Sequence, residues 1–316
     1  MKIVFFGTSE FAVPSLVSLI GSKHKVLAVV TQPDKKKGRA LKLSPSPVKV
    51  VAASHGVPVY QPVNASDAVT IEYLKSTGAD LFVVISFGQI LSKGVLAIPK
   101  IFSINIHGSL LPKYRGASPT NRAIISGDSV TGITVMKMSE KLDEGGIILK
   151  KEMPIDPEDT NITINEKLSD IGSLALMEAI CKIEKDGASI AISEQDPASA
   201  TYASKLTKLD GLIDWKESAP NIRNKIRGLL PWPGAYTYYG GKTLKILAAD
   251  IASDASAGGA IPGEVVDVMK GTGIIVNTGR GLLAIRYLQL EGKKDMSADS
   301  FILGHKVTKG YKFGKT

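Results

Sequence analysis

ADLFVVIS, residues 79–86, is an almost unbroken apolar run. A strand with one wet face alternates in character. A continuous β-branched and aromatic run marks a strand buried on both faces, as in parallel sheets covered by helices. The flanking sequence extends that reading in both directions. KIVFFG (2–7) and KVLAVVT (25–31) are further apolar strands, separated by EFAVPSLVSLI (10–20), whose spacing is helical. PVKVVAASHG (47–56) and DAVTIEYLKSTG (67–78) read as helices with the short strand VPVY (57–60) between them. Beyond residue 86 come SINIH (103–107), a helix near 118–127, and strands over TGITVMKM (131–138) and GGIILKKEMPI (145–155). A long amphipathic helix over 161–187 closes at a glycine. This βαβα order predicts an α/β unit of Rossmann-like form: an open, largely parallel sheet with helices on both faces.

The pattern changes class after that helix. Residues 190–209 are small and polar, without sustained periodicity, and read as an ordered linker. SAPNIRNKIRGLL (218–230) fits one helix stopped by PWPG, and AYTYY–GG–KTLKILAAD fits a hairpin with a Gly-Gly turn. GEVVDVMKGTGIIVNTGRGLLAIRYLQL supplies three more short strands, and MSADSFIL (296–303) a short capped helix. Such strands predict a small OB-like β-barrel. The expected partition is a catalytic domain over 1–189, a linker over 190–209 and a basic barrel over 210–316.

Composition narrows the function classes. The chain has 316 residues, 44% of them hydrophobic, enough for a substantial core, and no window is long and apolar enough for a membrane helix. KIVFFG begins at once, without the regions of a signal peptide. The single cysteine, Cys181, has no internal disulfide partner, and the four histidines lack zinc-site spacing. The expectation is a cytoplasmic protein without metal or membrane. The net charge of +9 is unevenly spread: residues 1–204 carry 22 Lys/Arg against 20 Asp/Glu (+2), and residues 205–316 carry 17 against 10 (+7). A basic module is an electrostatic footprint for polyanions such as nucleic acid.

The chemistry lies elsewhere. FFGTSEF has the strand–turn–helix form of a dinucleotide site, but Gly7 stands alone, which excludes a nicotinamide dehydrogenase; Ser9 is expected to cap the helix that follows. In SINIH, Asn105 and His107 are two residues apart, so they share one side of their strand at its carboxyl end, where open α/β sheets bind ligands. KLDEGGI then places Asp143 in a glycine-rich turn between two strands. No serine or cysteine sits in a nucleophile elbow. A neutral donor, a titratable ring and an acid to orient it suit polarising a carbonyl and moving a proton. Between strand and helix, QPDKKKGRALKLSPSP (32–47) gathers Lys35, Lys36, Lys37, Arg39 and Lys42, and a long basic loop there reads as functional.

These stretches together resemble the folate-dependent formyltransferase family over essentially the whole chain. The resemblance rests on FGTSEFAVPSL (6–16), QPDKKKGRALKLSPSPVK (32–49), INIHGSLLPKYRGASP (104–119), TGITVMKMSEKLDEGGII (131–148) and PWP (231–233). It implies transfer of a formyl group from 10-formyltetrahydrofolate, released as tetrahydrofolate, to the α-amino group of methionine carried on initiator tRNA. It implies that Asn105, His107 and Asp143 are catalytic, and that Phe87, Gly88, Gln89, Ile90, Leu91, Ser109, Leu110, Leu111 and Pro112 form the folate pocket. Lys35, Lys36, Lys37, Arg39 and Lys42 are then expected to meet the tRNA, with a monomer as the simplest state. Asn105 and His107 side by side would donate to the oxygen that turns negative when the amine attacks the formyl carbon. The alternative is a formyltransferase acting on an amino-sugar nucleotide or another small amine. A glycinamide ribonucleotide formyltransferase would leave the basic C-terminal third without a role, and a purely RNA-binding protein would leave the Asn/His/Asp set without one.

Overall fold

The computed structural model describes residues 1–37 and 42–314. Strand β1 (Lys2–Gly7), buried over all but its first residue, leads through helix α1 (Val13–Ile20) to β2 (Lys25–Val30). A hairpin of β3 (Lys35–Lys37) and β4 (Lys42–Ser44) precedes α2 (Pro47–Ser54), β5 (Val59–Tyr60) and α3 (Ala68–Ser76). Then follow β6 (Leu81–Ile85), α4 (Lys93–Leu96), β7 (Phe102–His107), β8 (Arg115–Gly116) and α5 (Pro119–Ile125). Strands β9 (Val130–Lys137) and β10 (Ile147–Pro154), helix α6 (Asn161–Asp186) and β11 (Tyr202–Ala203) complete this part of the chain.

Seven strands form one sheet in the order β10-β9-β7-β6-β1-β2-β5. The pairs β1–β2, β2–β5, β1–β6 and β6–β7 are parallel, whereas β9 and β10 run antiparallel at one edge. All five residues of β6 are buried, because its neighbours β1 and β7 are both inside the sheet. From β1 the chain builds outward to β2 and β5, then returns to lay β6 and β7 on the other side. That reversal between β1 and β6 opens a crevice at the strands' carboxyl ends.

Local chemistry sets the helix starts. Ser46 accepts from the Lys49 amide at 3.0 Å, and Asp67 from the Thr70 amide at 2.7 Å, satisfying N–H groups that a first turn leaves unpaired. Ser9 departs from the expected cap. Its side chain makes no capping bond, and its hydroxyl donates instead to Ser86 Oγ at 2.8 Å, across the crevice between β1 and β6.

The second part begins with α7 (Ala219–Gly228), capped by Ser218. Strands β12 (Ala235–Tyr239) and β13 (Lys242–Ser253) form the expected hairpin. Gly240 and Gly241 have φ of +54° and +75°, the two left-handed positions that a two-residue turn of this hand requires. Strands β14 (Val265–Met269), β15 (Gly273–Asn277), β16 (Leu282–Leu290) and β17 (Met296–Ser297) follow, then α8 (Ala298–Gly304). The antiparallel order is β12-β13-β16-β15-β14, with β17 beside β16. Register shifts along β13 bend the sheet around a core of Leu244, Ile246, Ile274, Leu283, Ile285 and Phe301.

The chain clusters into two compact units: Met1–Pro119, Val130–Pro154 and Asn165–Ala203 in one, and Thr120–Ser129, Ile155–Ile164 and Ser204–Thr316 in the other. Two pieces from the earlier sequence therefore belong to the later unit. Within it, Asn121 Nδ2 donates to the Gly228 carbonyl at 2.7 Å, Arg122 pairs with Asp210 at 2.9 Å, and Asn161 Nδ2 donates to the Leu230 carbonyl at 3.0 Å. No helix among the described residues is long and apolar enough to cross a membrane.

Candidate active site

Alternation along β7 sends Asn105 and His107 to the same side, and both reach the Asp143 carboxylate. Asn105 lies opposite Val84 near the end of β6 and donates from Nδ2 to Asp143 Oδ1 at 3.4 Å. One amide hydrogen is thereby used and the other stays available. His107 is 6% exposed, and its Nε2 lies 3.0 Å from the Tyr114 carbonyl oxygen. A carbonyl only accepts, so Nε2 carries a hydrogen. Nδ1 is then the nitrogen left for proton traffic, and it faces Asp143 Oδ2 at 3.6 Å.

Asp143 is held from several directions. Its Oδ2 accepts the Gly116 amide at 2.8 Å, which turns the carboxylate toward both partners. Its backbone is left-handed at φ +55°, a conformation that aspartate tolerates better than most residues. Tyr114, on the other side of His107, is also left-handed, at φ +60°. The turn after Asp143 has no room for side chains: a Cβ on Gly145 would lie 1.7 Å from the Lys137 carbonyl oxygen, and one on Gly146 would lie 2.1 Å from Ile192 Cγ2. Gln195, buried, donates from Nε2 to the carbonyls of both Asp143 and Gly145 at 2.8 Å. Its Oε1 accepts from Arg115 Nε and Nη2 at 3.1 and 2.9 Å, and Arg115 also pairs with Glu144 at 3.2 Å.

The structure brings the expected trio together, and the other predicted positions have the following surroundings. Phe87 and Leu91 are buried in a core cluster with Phe6 and Val84. The Phe87 carbonyl accepts from Thr8 Oγ1 and Gln32 Nε2, both at 2.9 Å. Gly88 is left-handed, Gln89 is bonded to the Ala65 amide at 2.8 Å, and Ile90 is 80% exposed. Ser109 is buried with its hydroxyl on the Lys113 carbonyl at 2.6 Å. Leu110 is half-buried; Leu111 packs with Met136 and Ile147, and Pro112 accepts from the Thr201 amide at 3.2 Å. Of the basic residues, Lys35 and Lys36 are exposed on β3, Lys37 ends β3 and Lys42 begins β4, and Arg39 lies outside the described residues. The hairpin's base is anchored by Asp34, which pairs with Lys49 at 2.8 Å and accepts from Gln61 at 2.8 Å, holding its carboxyl below the usual range.

Sequence reasoning missed Tyr114, Gly116, Arg115 and Gln195. The first two act through backbone groups, which no side-chain pattern reports. Gln195 falls in the segment read as linker, and its only signal was a long amide among small residues. Among the described residues no three His, Cys, Asp or Glu side chains gather as metal ligands.

Two family profiles cover most of the chain: "Formyl transferase" matches residues 1–180 and "Formyl transferase, C-terminal domain" matches 205–306. A methionyl-tRNA formyltransferase of Citrifermentans bemidjiense is 45% identical over 315 residues, spanning 100% of this chain and 97% of the relative. Another, from Geobacter metallireducens, is 43% identical over 314 residues and 99% of each chain. Among solved structures, the sugar 3N-formyl transferase WlaRD, crystallised with dTDP and 5-N-formyl-THF, superposes with a TM-score of 0.68 at 21% identity, covering 93% of this chain and 99% of its own. The N-formyltransferase from Helicobacter canadensis, in complex with folinic acid and dTDP-3-aminofucose, gives 0.66 at 19% identity over 91% and 100%. At those identities the two structures speak for the fold.

Proposed function

The chain belongs to the formyl transferase family, and from that premise we propose that it transfers a formyl group from 10-formyltetrahydrofolate to the α-amino group of methionyl initiator tRNA. The full-length likeness to methionyl-tRNA formyltransferases carries this reading. The product, formylmethionyl-tRNA, serves translation initiation, and that role supports a cytoplasmic location.

The folate donor supplies a formamide carbonyl whose oxygen gains negative charge as the amine adds. Asn105 Nδ2 has a second hydrogen to offer that oxygen. His107, expected beside Asn105 as a second donor to that oxygen, has its Nε2 hydrogen on the Tyr114 carbonyl, so its Nδ1, held against Asp143 Oδ2, would be where a proton is taken up and passed on. Asp143 orients the pair through its two oxygens, one toward each. No serine or cysteine nucleophile is required, because the amine attacks directly.

The segments 87–91 and 109–112 would receive the folate donor. Segment 87–91 leaves β6 beside Asn105 and offers the exposed Ile90 and the main chain of Gly88. Phe87, Leu91, Ser109 and Leu111, being buried, would shape that site through backbone and packing. Lys35, Lys36, Lys37, Arg39 and Lys42 would meet the acceptor end of the tRNA from the β3–β4 hairpin, where Asp34, Lys49 and Gln61 anchor the base. Of the expected partition, the basic C-terminal module (210–316) would meet the bulk of the tRNA, while the stretch expected as a linker (190–209) divides between the two compact units after Ala203.

The test is to incubate the purified protein with 10-formyltetrahydrofolate and methionyl-tRNA, with a dTDP-amino sugar as a parallel acceptor. Formylmethionyl-tRNA on an acid gel supports the reading. Formylation of the sugar alone would replace it.

A further inference from the structure

We propose that residues 193–203 form a strap that sets the catalytic geometry, with Gln195 as a positioning residue for the reaction. The argument starts from the two nitrogens of His107. Nε2 is bonded to the carbonyl of Tyr114 and Nδ1 faces the carboxylate of Asp143. Both of these partners have left-handed backbones, and among the described residues only Ser86 joins them as a non-glycine residue with positive φ. Such conformations cost roughly 1–3 kcal/mol each and persist only where the surroundings impose them.

The same stretch of chain imposes both. On the Asp143 side, Ser193 exchanges two backbone bonds with Ile147, at 2.7 and 2.9 Å, and so lies along the strand that leaves the turn. Gln195 then spans the turn itself, with one Nε2 on the carbonyls of Asp143 and Gly145. On the Tyr114 side, Thr201 Oγ1 accepts the Tyr114 amide at 2.8 Å, and the Thr201 carbonyl accepts the Arg115 amide at 2.8 Å. Strand β11 then pairs in parallel with β8, setting Ala203 beside Gly116, whose amide holds Asp143 Oδ2. Arg115 closes the loop by donating twice to Gln195 Oε1. His107 is thus held between two strained turns that one strap fixes, and none of the strap's side chains touches the reacting atoms.

A displacement of a catalytic group by about 1 Å can cost on the order of 100-fold in rate. The inference rests on the formyl-transfer reading, so the wild-type enzyme is assayed beside each variant. Gln195→Glu keeps a partner for Arg115, which preserves the buried pairing, but replaces the donor to the two carbonyls with an acceptor. Thr201→Val removes the acceptor for the Tyr114 amide at an exposed position. Each is expected to lower kcat about 10- to 100-fold, to leave KM for both substrates within about threefold, and to change the pH profile of kcat. Folded fraction is read by circular dichroism at the assay temperature and kcat is normalised to it. A purely structural role would leave normalised kcat and the pH profile at wild-type values in both variants, and that result would overturn the proposal. A wild type without formyl transfer would overturn the functional reading beneath it.

Discussion

At Asn105 one amide hydrogen is directed at Asp143, and under the proposed function the other would be offered to the developing negative oxygen. Asn105→Ala removes a donor of the oxyanion type, and kcat should fall about 100- to 1,000-fold with folding intact, as measured in single-turnover assays. His107→Ala should cost at least as much, because it removes the proton-accepting Nδ1. Asp143→Asn keeps the shape but puts an amide where a carboxylate faces Nδ1 and accepts the Gly116 amide, so it should depress kcat without abolishing folate binding. Near-normal turnover in any of the three would remove that residue from the mechanism. The spacing of Asn105 and His107 was legible because side chains on a strand repeat every two residues. The Tyr114 carbonyl was not, because every residue has one and only its left-handed backbone aims it at the ring.

Among the elements, the turn at Lys208–Gly211 shows how a local motif acquires a distant partner. Thr207 and Asp210 form a capping box, and Asp210 also pairs with Arg122 at 2.9 Å in the same unit. The Thr207 hydroxyl, then its amide and the Arg122 guanidinium hold the Asp210 carboxyl below the usual carboxylate range against the opposing effect of burial. A depressed folded value means that its stabilisation is complete above the unfolded value of about 3.9 and fades as pH falls through the lower folded value. Asp210→Asn should therefore lower the unfolding free energy of the C-terminal unit at neutral pH, read from urea titrations, by about 1 kcal/mol, and the gap to wild type should close once the pH is below the folded value. A constant gap down to that pH would assign the loss to shape instead of charge. Gly145→Ala tests a second element: its Cβ would strike the Lys137 carbonyl oxygen, so the variant should lose both melting temperature and kcat.

For the whole molecule, the uneven charge of +2 and +7 predicts how binding responds to salt. Phosphate contacts release counterions, so tRNA affinity should fall steeply as salt rises, while affinity for a folate should change far less. The two-unit arrangement also bears on truncation. A chain ending at residue 189 loses the strap, and it leaves Asn121, Arg122 and Asn161 without Gly228, Asp210 and Leu230. A chain ending at 203 keeps the strap. Melting temperatures should fall in the order full chain, 1–203, 1–189, and equal values for the two truncated forms would show that the strap adds nothing to the first unit.

The α/β class, the strands over 79–86 and 103–107 and the Gly-Gly hairpin were written locally, because side-chain periodicity and turn residues act within a few positions. Asn105 and His107 were paired by that same short range. Asp143 could be nominated from its turn, but its distance to His107, 36 residues earlier, depends on β9 lying antiparallel to β7 in the sheet. The role of residues 193–203 lay wholly beyond sequence reasoning. Their small polar composition describes a linker, and only the folded chain brings Gln195 onto the Asp143 carbonyl and Thr201 onto the Tyr114 amide. Backbone hydrogen bonds between distant segments carry no residue code, so tertiary structure alone decided what holds His107.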